Sequence, residues 1–290
     1  MKYRILFATT LCAFSAGAHA IYGHSQLNAA TFDTVGIMLG GGSGTVISPH
    51  FVLSAKHVGG NGFFINGNLY NAVQRYDHPT ADITLLRFDT PFSSYSLPTF
   101  DDMMGQVLTF VGYGATASER TSGTNAWTGY DYLGGFGTRR AVTNRIEHME
   151  DAVYDIGGTS HSTVSLEADL DYYNPNTPAD SQVDYYGGGG ATANEGGLIF
   201  GDSGGGALIQ QSGEWRIAGV NIWIDDTHGP NPGGNSNYLD YGDTFGATSV
   251  RAYQNWISEI APEAVPVPES ATFAALSLGA MALLRHRSKK

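Results

Sequence analysis

The chain has 290 residues, 42% hydrophobic and 14% charged, with a net charge of −12, so it is long enough to bury a core without covalent staples. Residues 21–268 hold 9 of the 15 Lys and Arg but 26 of the 27 Asp and Glu. A body this acidic excludes nucleic acid as a partner, since phosphate binding needs a basic surface, and it favours solubility outside the cell. The only cysteine, Cys12, lies near the N-terminus, which excludes disulfides, thiol catalysis and cysteine-ligated metal from the rest of the chain.

The first segment, MKYRILFATTLCAFSAGAHA, places Lys2 and Arg4 before an apolar run and ends on Ala18-His19-Ala20. That order is the pattern of a secretory signal peptide over 1–20, and it predicts a secreted or cell-envelope protein.

From residue 31 onward the pattern is strand-like. TVGIMLG, SGTVIS, FVLSA, GFFIN, LYNAVQRY, DITLLRF and QVLTFVGYG are short, rich in Val, Ile, Phe and Tyr, and separated by Gly, Pro, Asn and Asp. RAVTNRIEHM, STVSLEADLDY, GGALIQQ and WRIAGVNIWI continue the series. Many short strands with turn signals between them predict an all-β sandwich or barrel. Residues 115–137 and 172–197 are rich in Gly, Ser, Thr, Asn, Asp and Tyr and are predicted to be long surface loops. Asp180 and Asp184 in the second of them follow no fixed ligand ladder, so they are expected to be solvated loop residues. No metal and no cofactor is expected. A helix is predicted over 247–261, where Val250, Tyr253, Trp256, Ile257 and Ile260 share one face.

Residues 263–290 depart from this pattern. A Pro-rich approach leads to an apolar run over 271–284 and then to Arg285, Arg287, Lys289 and Lys290. The run is shorter than the roughly 20 apolar residues of a spanning helix. With Pro268-Glu269-Ser270 ahead of it, the segment resembles the bacterial PEP-CTERM sorting signal, although the second proline of that motif is missing. The resemblance implies membrane or envelope association through this tail.

Three motifs carry chemistry. VLSAKH runs an apolar strand into small residues and then His57; ADITLLRF puts Asp82 just ahead of an apolar strand; GDSGGG surrounds Ser203 with glycines. Glycines beside a serine let the backbone turn sharply and bring N–H groups toward a ligand, where they can hold a developing negative oxygen. An alcohol nucleophile needs a neighbouring base, and the base needs an acidic group to orient it. The chain order His, Asp, Ser is that of chymotrypsin-like enzymes.

On LSAKH, DITLL and GDSGG the chain resembles the trypsin/chymotrypsin family of serine peptidases over residues 21–260. The resemblance implies two six-stranded antiparallel β-barrels, over 21–112 and 113–262, with a C-terminal helix and the active site between the barrels. It implies His57 as general base, Asp82 as its orienting partner and Ser203 as nucleophile. The N–H groups of Gly201 and Ser203 would form the oxyanion hole. It places Gly197 at the base of the specificity pocket and Ile222-Trp223-Ile224 along its wall. Trypsin-like enzymes have an aspartate where Gly197 stands, so cleavage after Arg or Lys is not expected, and Ile224 would narrow the pocket toward small or aliphatic side chains. Asp225 and Asp226 lie just beyond that wall and could restore a basic preference. The family also pairs a freed Ile or Val amine with the aspartate before the catalytic serine, which is Asp202 here. A cut after Ala20 would supply that amine from Ile21. The expected partner is a protein or peptide substrate. The same triad would also serve an esterase, and the same fold without catalysis would serve as a binding protein.

Overall fold

The computed structural model describes residues 21–23, 27–119, 129–172, 184–187, 189–225 and 240–265. The predicted signal peptide, the C-terminal tail from residue 266, and Asp180 and Asp226 lie outside the described residues.

A two-residue strand β1 (Tyr22–Gly23) comes first. Seven strands then follow: β2 (Val35–Met38), β3 (Gly42–Ser48), β4 (Phe51–Ser54), β5 (Gly62–Ile65), β6 (Asn68–Asn71), β7 (Gln74–Asp77) and β8 (Thr84–Arg87). They form one antiparallel sheet in the order β6-β5-β2-β3-β4-β8-β7. Its two outermost strands, β6 and β7, are consecutive in the chain, with only Ala72 and Val73 between them. The Ala72 N–H donates to Asn61 O and the Val73 N–H to Arg87 O, each at 2.8 Å. Residues 68–77 are therefore one bent strand, paired with β5 in its first half and with β8 in its second. The bend closes the sheet on itself and leaves no free edge. Counting the bent strand once, the barrel has the six strands that the resemblance implies.

The second sheet is closed in the same way. It contains β9 (Val107–Gly112), β12 (Arg140–Arg145), β13 (His148–Ile156), β14 (Thr159–Asp169), β16 (Gly206–Gln211), β17 (Glu214–Asp225) and β18 (Thr244–Ser249), in the order β12-β9-β16-β17-β18-β14-β13. Its outermost strands β12 and β13 are separated only by Ile146 and Glu147, whose N–H groups donate to Gln106 O and Glu167 O. Two short pairings lie outside the barrels: a hairpin of β10 (Thr116–Glu119) with β11 (Tyr130–Gly134), and β1 with β15 (Gly196–Gly197). The fold is the chymotrypsin-like, all-β, two-barrel architecture.

Aliphatic and aromatic side chains fill both interiors. Val46, Leu53, Phe63 and Leu85 are fully buried in the first barrel, and Leu108, Phe110, Val142 and Ala247 in the second. Each large apolar side chain removed from water stabilises by about 1.5–3 kcal/mol, and closed sheets place alternate residues inside.

Two expectations change. The C-terminal helix α1 covers only Gln254–Ile260, preceded by a 3-10 turn at Arg251–Tyr253. Residues 247–249 belong instead to β18, which pairs with both β14 and β17 and is buried along its whole length. A strand buried on both faces shows no alternation in sequence, so its end merged with the helical pattern after it. Part of the predicted loop 115–137 likewise forms the arms of the β10–β11 hairpin. The helix returns to the first barrel, where Tyr253 and Trp256 pack edge-on against His78. No helix among the described residues is long and apolar enough to cross a membrane.

Candidate active site

β4 and β8 are antiparallel neighbours, with Ser54 opposite Thr84. The residues just after β4 and just before β8 therefore lie at the same end of the barrel, and that end holds His57 and Asp82. His57 sits in a single 3-10 turn, Lys56–Val58. Asp82 is fully buried and grips His57 twice: Oδ1 accepts the backbone N–H at 2.9 Å, and Oδ2 accepts Nδ1 at 2.5 Å. The first bond sets the turn and the second sets the ring. Burial pushes the Asp82 carboxyl up, but the hydrogen bonds and charge of His57 outweigh it and hold the carboxyl below its ordinary value. An ionised Asp82 keeps the proton on Nδ1, which leaves the lone pair on Nε2.

The second barrel supplies two further contacts to Asp82, neither of them marked by a motif. Tyr154 on β13 donates its hydroxyl to Oδ2 at 3.1 Å, and Thr248 on β18 donates to the Asp82 main-chain oxygen at 3.0 Å. Burial, and then the Asp82 charge, raise the Tyr154 hydroxyl far above its ordinary value, so it remains a donor. His161 lies opposite Tyr154 across the β13–β14 ladder and stacks on its ring with centroids 5.6 Å apart. It also meets the His57 ring edge-on at 6.5 Å. Burial keeps the His161 imidazole below its ordinary pKa, and so neutral. A neutral ring beside His57 adds no competing charge.

Ser203 stands at the top of a tight turn between β15 and β16. Gly201 has φ +91° and Gly204 has φ +81°, a region open to glycine and costly for other residues. A Cβ at Gly204 would lie 2.1 Å from Ser43 O, because the turn docks directly on β3 of the first barrel. There the Ser43 N–H donates to Ser203 O at 2.7 Å and the Ser43 hydroxyl to Gly201 O at 3.3 Å. From below, Asn221 holds the turn through its main chain to Gly204 and Gly205 and through its side chain to Asp202 O. The N–H groups of Gly201 and Ser203 have no hydrogen-bond partner among the described residues.

A cavity of about 440 Å³ brings these groups together, with His57, Gly201 and Ser203 in its lining. Its remaining walls are mainly apolar: Leu198, Ile199 and Phe200 on one segment, Ile222, Trp223 and Ile224 on another, and Tyr154 and Ile156 from β13. Asp155, exposed, is the acidic group in the lining. Ile222 is the extra residue of a β-bulge, since Asn221 pairs with Ala247 and Trp223 with the next residue, Gly246. A bulge of this kind re-aims a side chain beside a site. Trp223 is pinned by its Nε1 bond to Ser165 Oγ at 3.1 Å. Gly197 does not line this cavity. It is buried in β15, where its main chain pairs with Tyr22, and with no side chain it leaves the wall to Leu198. Asp225 is exposed at the end of β17 and is also outside the lining.

Ile21 and Asp202 are brought together. Asp202 is fully buried, and its carboxylate accepts Gly114 N–H at 2.8 Å, Ile199 N–H at 2.9 Å and the Ile21 N–H. Burial raises its pKa to about 7 against the pull of those donors and of the Arg140 charge. The Ile21 side chain is fully buried among residues such as Met103, Phe110 and Leu198, and its φ is +46°, an unfavourable value for a β-branched residue.

No family model and no curated protein matches the chain. Among solved structures it is similar to the active form of the Rv3671c protease from M. tuberculosis, with 17% identity and a TM-score of 0.48. That match covers 80% of this chain and 83% of the other.

Proposed function

We propose that the chain is a serine endopeptidase. The observation that carries this reading is that His57, held twice by a buried Asp82, opens onto the same cavity as Ser203 and two unpartnered N–H groups. In this reading Ser203 Oγ attacks the substrate carbonyl and His57 Nε2 takes the hydroxyl proton. Asp82 steadies the imidazolium that results. The N–H groups of Gly201 and Ser203 receive the carbonyl oxygen as it becomes an oxyanion. The proton on His57 then passes to the leaving amine; in the second half His57 takes a proton from the attacking water and returns it to Ser203 Oγ as the acyl group leaves.

The apolar walls support a small or aliphatic residue on the acyl side of the scissile bond. Among the described residues the lining holds one carboxylate, the exposed Asp155, with Gly197 bare and Asp225 outside the lining. Two observations support Ile21 as the mature N-terminus. Its N–H already reaches the Asp202 carboxylate. Its strained φ exists only while a residue precedes it, so a cut after Ala20 removes that strain. Export through the signal peptide would then activate the enzyme without a separate propeptide, and the tail from 263 would sort or anchor it in the envelope.

A fluorophosphonate probe tests the chemistry. Folded protein beginning at Ile21 should label at Ser203, and absence of labelling refutes the active triad. Turnover of esters without cleavage of any peptide would make the protein an esterase. Efficient cleavage after Arg or Lys would overturn the specificity.

A further inference from the structure

Apart from the catalytic residues, the second barrel gathers acidic side chains at one end. Glu147 lies at the bend between β12 and β13, Asp169 ends β14, and Asp184 begins the segment that leads to β15 and the Ser203 turn. One carboxylate oxygen from each lies within 4.8 Å of the other two. Asp184 is half-buried here, in contrast to the solvated loop position its sequence suggests.

The surroundings do not satisfy these groups. Asp169 is 0% exposed, and its Oδ1 has no hydrogen-bond partner among the described residues. Both carboxylate oxygens of Glu147 are buried without a donor among the described residues, and its carboxyl lies against that of Asp169. Asp171, 2% exposed and two residues beyond Asp169, adds another unpartnered oxygen. Backbone donors reach one oxygen on each of two of them: Tyr185 N–H donates to Asp169 Oδ2, and Gly187 N–H donates to Asp184 Oδ1. Arg145, whose charge acts on Asp171, already spends Nη1 on Gly105 O. Buried acceptors without donors are costly, and the cost grows when they are carboxylates side by side.

We propose that Glu147, Asp169 and Asp184 bind a divalent calcium ion. An all-oxygen, all-carboxylate set selects a hard cation over zinc or copper. Ligands facing each other across Ca²⁺ at about 2.4 Å each are about 4.8 Å apart, and the three oxygens lie within that separation of one another. No donor among the described residues reaches either oxygen of Glu147, so it can ligate in the bidentate mode that calcium accepts and magnesium rarely uses. The ion joins the barrel bend to the end of β14 and to the segment running toward Ser203. Its binding does not depend on the enzyme being active.

Terbium provides the direct probe, since Tyr185 and Tyr186 lie beside the site and can sensitise its emission. The full chain from Ile21, carrying Ser203→Ala to prevent self-cleavage, is stripped with a chelator and titrated. Sensitised emission should appear, be displaced by calcium, and need at least about 10-fold more magnesium. Calcium at 100 times its Kd should raise the unfolding midpoint by roughly 5–10 °C. Asp184→Asn and Glu147→Gln, each verified as folded by circular dichroism, should weaken binding at least about 10-fold. His148→Ala tests the neighbouring group of His148, Glu150 and Glu167, and should leave affinity within about 2-fold. No emission together with an unchanged midpoint overturns the proposal in favour of a proton shared between carboxylates. Wild-type affinity in Asp184→Asn, or loss of binding in His148→Ala, overturns the assignment of ligands.

Discussion

Adding a single residue ahead of Ile21 should change how stability depends on pH. In the uncut chain Asp202 is buried with its pKa raised to about 7 from an ordinary 3.8. Folding therefore takes up a proton between those values. The folded state holds more protons than the unfolded one, so stability is full below the unfolded value and is lost as pH rises through about 7. Between pH 5 and pH 7 the loss from this one group is about 2 kcal/mol. Freeing Ile21 places an ammonium where a neutral N–H now stands against the same carboxylate. An opposite charge at hydrogen-bond distance pulls a carboxyl pKa down, which removes that slope. The assay is urea unfolding at pH 5, 6 and 7 of Ser203→Ala protein beginning at Ile21 and of the same protein beginning at Ala20. Other buried carboxylates titrate in both, so the difference between the two slopes isolates Asp202. The Ala20 form should lose about 2 kcal/mol more across the range than the Ile21 form. Equal slopes refute the pairing. So does equal kcat/KM of the two forms with Ser203 intact, because the Asp202 turn carries the N–H groups proposed to hold the oxyanion.

Tyr154→Phe removes one of the donors to Asp82 Oδ2 and should cut kcat/KM about 10-fold, with KM little changed. A purely structural role would lower the unfolding midpoint without that split. Ile224→Gly should widen the cavity and move preference from aliphatic toward aromatic side chains by about 10-fold or more, read from a peptide panel. Gly204→Ala should destabilise by more than about 2 kcal/mol and abolish labelling of Ser203, because the new methyl would press on Ser43 O and Ser54 Oγ.

His57 and Ser203 were legible because their signals are local. The small residues Ser54 and Ala55 carry the chain from β4 toward His57, and Gly201 and Gly204 bracket the turn at Ser203, so a window of six residues contains the constraint. The all-β class was legible from strand length and turn residues and the two barrels from the resemblance that the three motifs carry, but how each sheet bends to close was not. Ala72-Val73 and Ile146-Glu147 carry no Gly or Pro to mark a bend; the bends follow from each half-strand pairing with a different neighbour. Gly197 was placed by counting back from Ser203. The count ignores that its main chain is committed to Tyr22, which turns the wall over to Leu198.

Contacts that cross between barrels were hidden for a related reason. Tyr154 stands 72 residues from Asp82 in a stretch that reads as an ordinary strand, and it reaches Asp82 only because the β13–β14 ladder extends beyond the second barrel toward the first. The same ladder brings His161 beside His57. In the proposed mechanism the base His57 and its orienting acid Asp82 come from the first barrel, while the second holds the nucleophile Ser203 and also grips Asp82 through Tyr154 and Thr248. Any slip between barrels would break the Asp82 contacts and the Ser43–Ser203 bond and pull apart the cavity that His57 and Ser203 share. Catalytic geometry and barrel docking are therefore one structural unit, and a substitution that loosens the docking should lower activity before it lowers global stability.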